Sequence, residues 1–513
     1  MRFFGCAALT AALLSLLGAP ARAQDVTLTS RDGAVEISGV LIGFDGEFYR
    51  VDTIYGPLTL DGQGVVCTGP GCPDMEAHVA RFRLSGTPVL GEMLMPALIE
   101  TYADQRGLAV ANEHDLFVLS DRETGHRVAE IALGLVSTEE GFADLLADAA
   151  DIVMAAREPR PDEIERLREA GFGDLSDPAR RHVVALDAIV PVVAPGHPVQ
   201  HLAIEAVLGI VTGQITDWAD LGGPDAPVTV HLLDRQNGLQ QAIALRLLDG
   251  ASPTPAARRH KDAAALSAAV AADPLGFGLT RFSALGDAQQ LPLIGTCGLR
   301  QVATRQSVKT EDYPLVAPLF LYTPARRQPL FVREFFDWLD TAPAQLVIRR
   351  AGFVDQSRDT IPFGRQGDRL AQAIAQAGPE VPLSELQRLV AALAGAERLT
   401  TTFRFREGGS SELDAQSFGN VGALARALEA GLFDGRTLIF AGFTDGDGPA
   451  EANLGIARLR AEAVRDAVEA VATAADLSRV TLRVEAFGEV LPIACDQSPW
   501  GGVTNRRVEV WIR

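Results

Sequence analysis

A chain of 513 residues exceeds what one hydrophobic core usually supports, so roughly two to four domains are expected. Its formal net charge is −20, and its basic residues are nearly all arginine and scattered. With no cationic stripe to neutralise a phosphate backbone, DNA, RNA and anionic membrane surfaces are poor partners.

The first segment has Arg2, an apolar run from Phe3 to Leu17 and the small-residue triplet Ala21-Arg22-Ala23 before Gln24. That is the layout of a cleavable secretory signal peptide, so residues 1 to 23 are set apart from the fold and the mature chain is expected to be exported. Cys6 lies inside the apolar run, away from the small-residue context a lipid anchor needs. No later stretch reaches the roughly 18 uninterrupted apolar residues of a spanning helix, so no transmembrane segment is expected in the mature protein.

Residues 24 to 79 read as a small all-β module. Short apolar and polar residues alternate between the turn dipeptides Asp32-Gly33, Asp45-Gly46, Tyr55-Gly56 and Asp61-Gly62, which predicts a meander of about five strands. Four cysteines follow the signal peptide, an even number for an oxidising compartment. Cys67 and Cys72 flank a Thr-Gly-Pro-Gly turn that can bring them together, and a disulfide is expected there. Cys297 and Cys495 fall in different predicted domains; they either stay free or pair and clamp those domains to each other. No Cys-x-x-Cys or Cys/His ligand spacing occurs, so no metal site or cofactor is expected.

From residue 80 to 356 short apolar strands, such as Val183-Val184-Ala185-Leu186 and Val228-Thr229-Val230, alternate with alanine- and leucine-rich helical patterns. That alternation predicts an α/β domain. Gly86-Thr87-Pro88-Val89-Leu90-Gly91 follows a strand and opens a helix, where backbone N–H groups can point at an anion. With this come Ile215-Thr216-Asp217-Trp218, Leu221-Gly222-Gly223, Glu311-Asp312-Tyr313-Pro314-Leu315, Leu321-Tyr322-Thr323-Pro324 and Ala351-Gly352-Phe353-Val354. Together these phrases resemble the phosphate-binding, substrate-binding proteins of periplasmic ABC transporters. The resemblance implies a two-lobed type-II periplasmic binding protein domain with the ligand in the cleft, lined by Thr87, Arg157 and the turn Asp234 to Gly238, including Asn237. It also implies phosphate or another small anion as ligand, and an ABC transporter as partner. The sequence departs from the family at Asn237-Gly238-Leu239, where Ser-Gly-Thr is usual, at Leu233, where arginine precedes Asp234, and at Ala156, a common serine. Each change removes a donor.

Residues 357 to 397 read as a helical linker with Leu383, Leu386, Val390 and Leu393 on one face. From 398 to 513 the pattern is strand, helix, strand, long helix, strand, strand. Gly448-Pro449 marks the start of the long helix, since proline is welcome in a first turn. Asn453 and Arg460, two turns apart, share a face of it. Asp445 sits in the loop that feeds it. A carboxylate and a guanidinium so placed match a zwitterion, Asp for an ammonium and Arg for a carboxylate. Gly442-Phe443-Thr444-Asp445, Asn453 through Arg460-Ala461, Phe487-Gly488-Glu489, Pro492 and Asn505-Arg506-Arg507-Val508-Glu509-Val510 resemble the OmpA-like domain in order and spacing. The resemblance implies a βαβαββ sandwich that binds peptidoglycan through the meso-diaminopimelate of its stem peptide. Asp445 would hold the ammonium and Arg460 the carboxylate, with Asn453, Asn505 and Arg506 in support. Phe443 stands where the family often has histidine, and Ala457 where it usually has serine.

Competing chemistry lacks residues. Asp445-Gly446-Asp447-Gly448 is like the start of a calcium loop, but its fifth and twelfth positions are Pro449 and Ile456. His197 and His201 have a metal-like spacing, yet His197 precedes a proline, where helix is disfavoured. No zincin, nucleophile-elbow, P-loop or dinucleotide motif occurs, so no enzyme is expected. The expectation is a multidomain α/β and α+β periplasmic solute-binding or scaffold protein tethered to the cell wall, with a phosphate-uptake component as the alternative.

Overall fold

The computed structural model describes residues 25–74, 78–248, 250–375, 377–378, 380–405, 412–497 and 499–513. The signal peptide expected over residues 1 to 23 lies outside them. The described residues divide into two compact units, the first comprising those up to Ala80 with His126–Val128 and Arg327–Arg333, the second the remainder.

In the first unit five strands, Val26–Ser30, Glu36–Phe44, Phe48–Thr53, Gly56–Asp61 and Val65–Thr68, form one antiparallel sheet. The fourth, third, second and first lie side by side in that order, and the fifth closes the row beside the first. The turn at Asp45-Gly46 shows why this sequence reverses there. Gly46 takes φ +94°, and Asp45 Oδ1 accepts from the amides of Glu47 and Phe48 at 2.9 and 2.7 Å. Among the described residues, Val26, Leu28, Tyr49 and Val51 are the buried apolar side chains of this core. So small a core benefits from a covalent staple, and Cys67 and Cys72 are disulfide-bonded.

The second unit is built on an eleven-stranded sheet. Its central strand, Arg181–Val193, is almost wholly buried, as an apolar run covered on both faces should be. Through Arg181 to Ala188 it pairs with Val316–Tyr322, and through Ile189 to Val193 with Gly276–Arg281. The strand therefore passes from one α/β lobe into another. The first lobe holds Ala80–Gly86, Arg127–Leu135 and Ile152–Ala155; the second holds Thr229–Leu233, Arg258–His260 and Gly276–Arg281.

The C-terminal sheet runs Thr360–Pro362, Glu397–Arg404, Arg507–Ile512, Thr437–Phe443, Thr481–Gly488. Helices Ala415–Glu429 and Ala450–Val471 cover one face, packing Leu424, Val464 and Val468 on Leu438, Phe440 and Val510. A Cβ at Gly442 would stand 2.0 Å from the carbonyl oxygen of Ala457, so glycine is what lets the long helix approach the strand that leads to Asp445.

The segment 357 to 397, expected as a linker, instead completes this body. Its strand Thr360–Pro362 joins the sheet edge, and its helices Gly367–Ala375 and Leu383–Leu393 cover the second face. Leu386, Leu389 and Leu393 are buried against Ile439 and Trp511, whereas Leu383 and Val390 remain exposed, so the buried face is rotated from the expected one. A further departure is the short helix Pro499–Asn505, which precedes the last strand.

The C-terminal body touches both lobes. Ala415 enters the core of the first lobe beside Phe142 and Phe320, and Trp500 packs on the core of the second. Cys297 and Cys495 are disulfide-bonded across this junction, which settles the two alternatives left open by the sequence.

Candidate functional site

Thr87 stands at the start of the helical segment Leu90–Gln105, and Asn237-Gly238 at the start of helix Gly238–Arg246 of the other lobe. Gly86, at φ +141°, leaves no room for a side chain, because a Cβ would lie 2.0 Å from the Met154 carbonyl oxygen. That tight bend sets Thr87 at the strand end, with its amide bonded to the same carbonyl at 2.9 Å. Thr87 is fully buried and its Oγ1 has no hydrogen-bond partner. A Cβ on Gly238 would stand 2.8 Å from this hydroxyl and 3.5 Å from Ala156 Cβ. Two helix N-termini thus converge on one hydroxyl, an arrangement whose partial positive charge suits an oxyanion. Near the same end of the second helix, Gln240 is buried with both amide atoms unpartnered. Buried polar groups normally find protein, water or ligand partners.

The remaining sequence-predicted residues take other places. Asn237 Oδ1 caps its own helix at Leu239 N, 3.0 Å, and its Nδ2 donates to the Lys261 carbonyl at 3.2 Å. Asp234 is exposed. Arg157 is buried, but its two amino groups hold Glu163 at 2.7 and 2.8 Å, so its outer face is already neutralised.

Sequence reasoning missed Asp187 and Arg281, which with Ala156 and Leu239 line a cavity of about 10 Å³, space for about one water. Asp187 accepts from Ser283 Oγ at 2.5 Å and from the amides of Ala188 and Ser283. Burial pushes its carboxyl above the usual range, and Arg281 and the Ser283 hydroxyl work the other way. The available signal was a lone carboxylate inside the apolar strand Val184 to Val193, where a charge is costly unless paired.

In the C-terminal body, Asp445 Oδ2 accepts from Arg506 at 2.6 Å. Arg460 is buried on its helix, with Nε and one amino nitrogen unpartnered and its guanidinium 5.3 Å from the Phe405 ring. Burial and the neighbouring Arg506 lower its pKa, while Asp445 raises it. Asn453 Nδ2 donates to Glu489 at 2.8 Å. Asn505 is a scaffold for the loop before it: its side chain binds the amides of Ile493 and Ala494, the Ala494 carbonyl and Asp496. Asp496 in turn accepts from Gly446 N at 2.9 Å. Burial raises the carboxyls of both Glu489 and Asp496. Carboxylates and guanidiniums therefore meet around one loop, chemistry that suits a ligand carrying both signs.

Among the described residues no group of three or more His, Cys, Asp or Glu side chains could hold a metal ion, and no helix is long and apolar enough to cross a membrane.

Two α/β lobes joined by long shared strands, with helix N-termini facing each other between them, define a type-II solute-binding fold. The family model described as "PBP superfamily domain" matches residues 84–341, half of the chain, and the chain belongs to that superfamily. It is 28% identical over 164 residues to the phosphate-binding protein PstS of Bacillus subtilis (strain 168), a match covering 32% of this chain and 53% of that protein. It is 21% identical over 198 residues to PstS of Borreliella burgdorferi, covering 35% and 67%. The chain thus spans about half the length of the first of these relatives. Among solved structures, an ABC-type phosphate transport receptor from Vibrio cholerae matches at 19% identity and TM-score 0.42, over 53% of this chain and 99% of that one. PstS from Borrelia burgdorferi matches at 16% and 0.38, over 54% and 98%.

Proposed function

We propose that the chain is an exported solute-binding protein whose inter-lobe site takes phosphate or a closely similar oxyanion for uptake through an ABC-type transporter. The observation that carries this reading is the unpartnered, buried hydroxyl of Thr87 between two opposed helix N-termini. Backbone N–H groups and a hydroxyl donate to oxyanion oxygens, and a carboxyl such as Asp187 accepts a proton the ion retains. The names of the relatives point the same way. Because Glu163 occupies Arg157, this site relies on neutral donors more than on a guanidinium, and because Gly238 abuts Thr87, entry requires the lobes to part. Calorimetry of the full mature chain with inorganic phosphate tests it: a saturable heat is expected, and no heat at millimolar phosphate overturns it.

A second reading is favoured by a separate observation, the buried Arg460 with two unpartnered nitrogens beside Asp445 and Arg506. In it, residues 398 to 513 are an OmpA-like domain that tethers the chain non-covalently to peptidoglycan by holding the zwitterionic end of meso-diaminopimelate, and the central domain serves as a wall-bound receptor or scaffold. The two readings are compatible in one molecule. Cosedimentation with purified sacculi tests the second without reference to phosphate.

A further inference from the structure

Between the first lobe and the helix Ala415–Glu429 lies a cleft of about 550 Å³, within the range of roughly 300 to 1,000 Å³ typical of small-molecule sites. It is separate from both sites described above. Its walls carry Arg180, Arg181 and Arg426 against a single carboxylate, Asp340, in a chain whose net charge is −20; His182 also lines it, its pKa lowered by burial. Asp340 binds Arg426 at 2.6 Å and lies 3.9 Å from His182. Glu158 and Asp177 stand 3.6 and 4.0 Å from Arg181 and Arg180. On the same side Arg358 donates to the Ala423 carbonyl at 2.8 Å. Its pKa is lowered chiefly by burial and then by Arg426, while Asp340 works the other way.

The floor carries a second, independent sign. Gln416 Nε2 donates to Gln356 Oε1 at 2.8 Å, which leaves Gln416 Oε1 and Gln356 Nε2 buried without partners. Gln416 is 4% exposed. A sealed packing seam has no use for an orphaned donor and an orphaned acceptor. Gly419 and Gly422 line the cleft without side chains of their own, and Phe418, 5.8 Å from the Arg181 guanidinium, gives an apolar surface.

We propose that this cleft binds a small organic polyanion, its phosphoryl or carboxylate groups held by Arg180, Arg181 and Arg426 and its remaining polar atoms by the Gln356 and Gln416 amides. Guanidinium forks match either kind of group. The site joins the solute-binding lobes to the C-terminal body, so its occupant would strengthen their association.

Calorimetry of the full mature chain with inorganic pyrophosphate and, separately, with citrate tests this, the two probes distinguishing phosphoryl from carboxylate recognition. At least one is expected to bind, more weakly as salt rises. Arg180→Gln combined with Arg426→Gln should weaken that binding about tenfold or more, whereas Asp340→Asn should strengthen it several-fold. Misfolding cannot imitate the gain, so the opposed pair is diagnostic. Failure of both probes to bind at millimolar concentration, or affinities indifferent to all three substitutions, would overturn the proposal.

Discussion

Asp312 of the second lobe and Arg398 of the C-terminal sheet meet as a two-point ion pair, at 2.6 and 2.9 Å. Arg398 is almost wholly buried and also donates to Thr402 at 3.1 Å. Burial alone would raise the Asp312 carboxyl, but the charge and hydrogen bonds of Arg398 more than offset it and hold the group below the usual carboxylate range. A carboxyl depressed in the folded state contributes stability that is complete above its unfolded value, about 3.9, and fades as pH falls through the folded one. Asp312→Asn should therefore cost about 3 kcal/mol at pH 7. Calorimetric melting of both proteins should show the gap narrowing below about pH 4.

Glu509 is the next link of the same network. Its fully buried carboxylate takes Arg369 at 2.7 Å, Arg507 at 2.8 Å and the Trp511 indole at 3.1 Å, with Arg398 at 3.4 Å. Burial already brings Arg507 down to about 9, with Glu509 acting to keep it charged. Glu509→Gln would leave the Arg369 and Arg507 guanidiniums without their anion and Arg398 with Asp312 alone, a loss of about 3 to 5 kcal/mol. A melting temperature lower by roughly 10 °C is expected, and a shift of only one or two degrees would mean that the arginines find other partners.

How far the sequence reached depended on the range of the signal. Turn chemistry is local, so Asp45-Gly46 and the cysteine pair 67 and 72 were legible from a few neighbouring residues. The order of strands and helices in the last hundred residues was also legible, apart from the short helix Pro499–Asn505. The face of a helix is local, but what covers it is not: the apolar period in 383 to 393 suggested a free-standing connector, whereas the strands carrying Ile439 and Trp511 supply its partner. Arg157 is a different case. Its place in the cleft came from a position in a pattern, and no pattern reveals that Glu163, six residues on, already occupies its amino groups.

The bond between Cys297 and Cys495 closes a separation of 198 residues. On a chain-entropy basis such a loop contributes about 5 kcal/mol by restricting the unfolded chain. The Cys297→Ser, Cys495→Ser double variant should melt several degrees lower than the parent, and peptide mapping without reductant should recover the two cysteines linked. The bond between Cys67 and Cys72 closes only five residues, so its removal should matter less and be confined to the melting of the N-terminal strands.

Thr87 and Gly238 give a test of the inter-lobe site that leaves the core intact. A hydrogen bond to a charged group is worth about 1.5 to 3 kcal/mol, so Thr87→Val should weaken phosphate binding tenfold to a hundredfold. Gly238→Ala places a methyl group 2.8 Å from Thr87 Oγ1 and so opposes closure of the lobes on the ligand. Its phosphate affinity should fall while its melting temperature changes little. Unchanged titrations for both variants would move the ligand elsewhere.

Recognition of a zwitterion by the C-terminal body needs both signs of charge at once. In the free protein Asp445 is paired with Arg506, and a ligand ammonium must compete with that guanidinium. Arg460 has unpartnered nitrogens and no ion pair with Asp445 among the described contacts, so a ligand carboxylate meets a vacant donor. Asp445→Ala and Arg460→Ala should each abolish cosedimentation with sacculi, because each removes one half of the recognition. Arg506→Ala should have a milder effect, since it removes a supporting cation but also frees Asp445 for the ammonium. Retention of sacculus binding by both Asp445→Ala and Arg460→Ala would mean that the wall is not held at this loop.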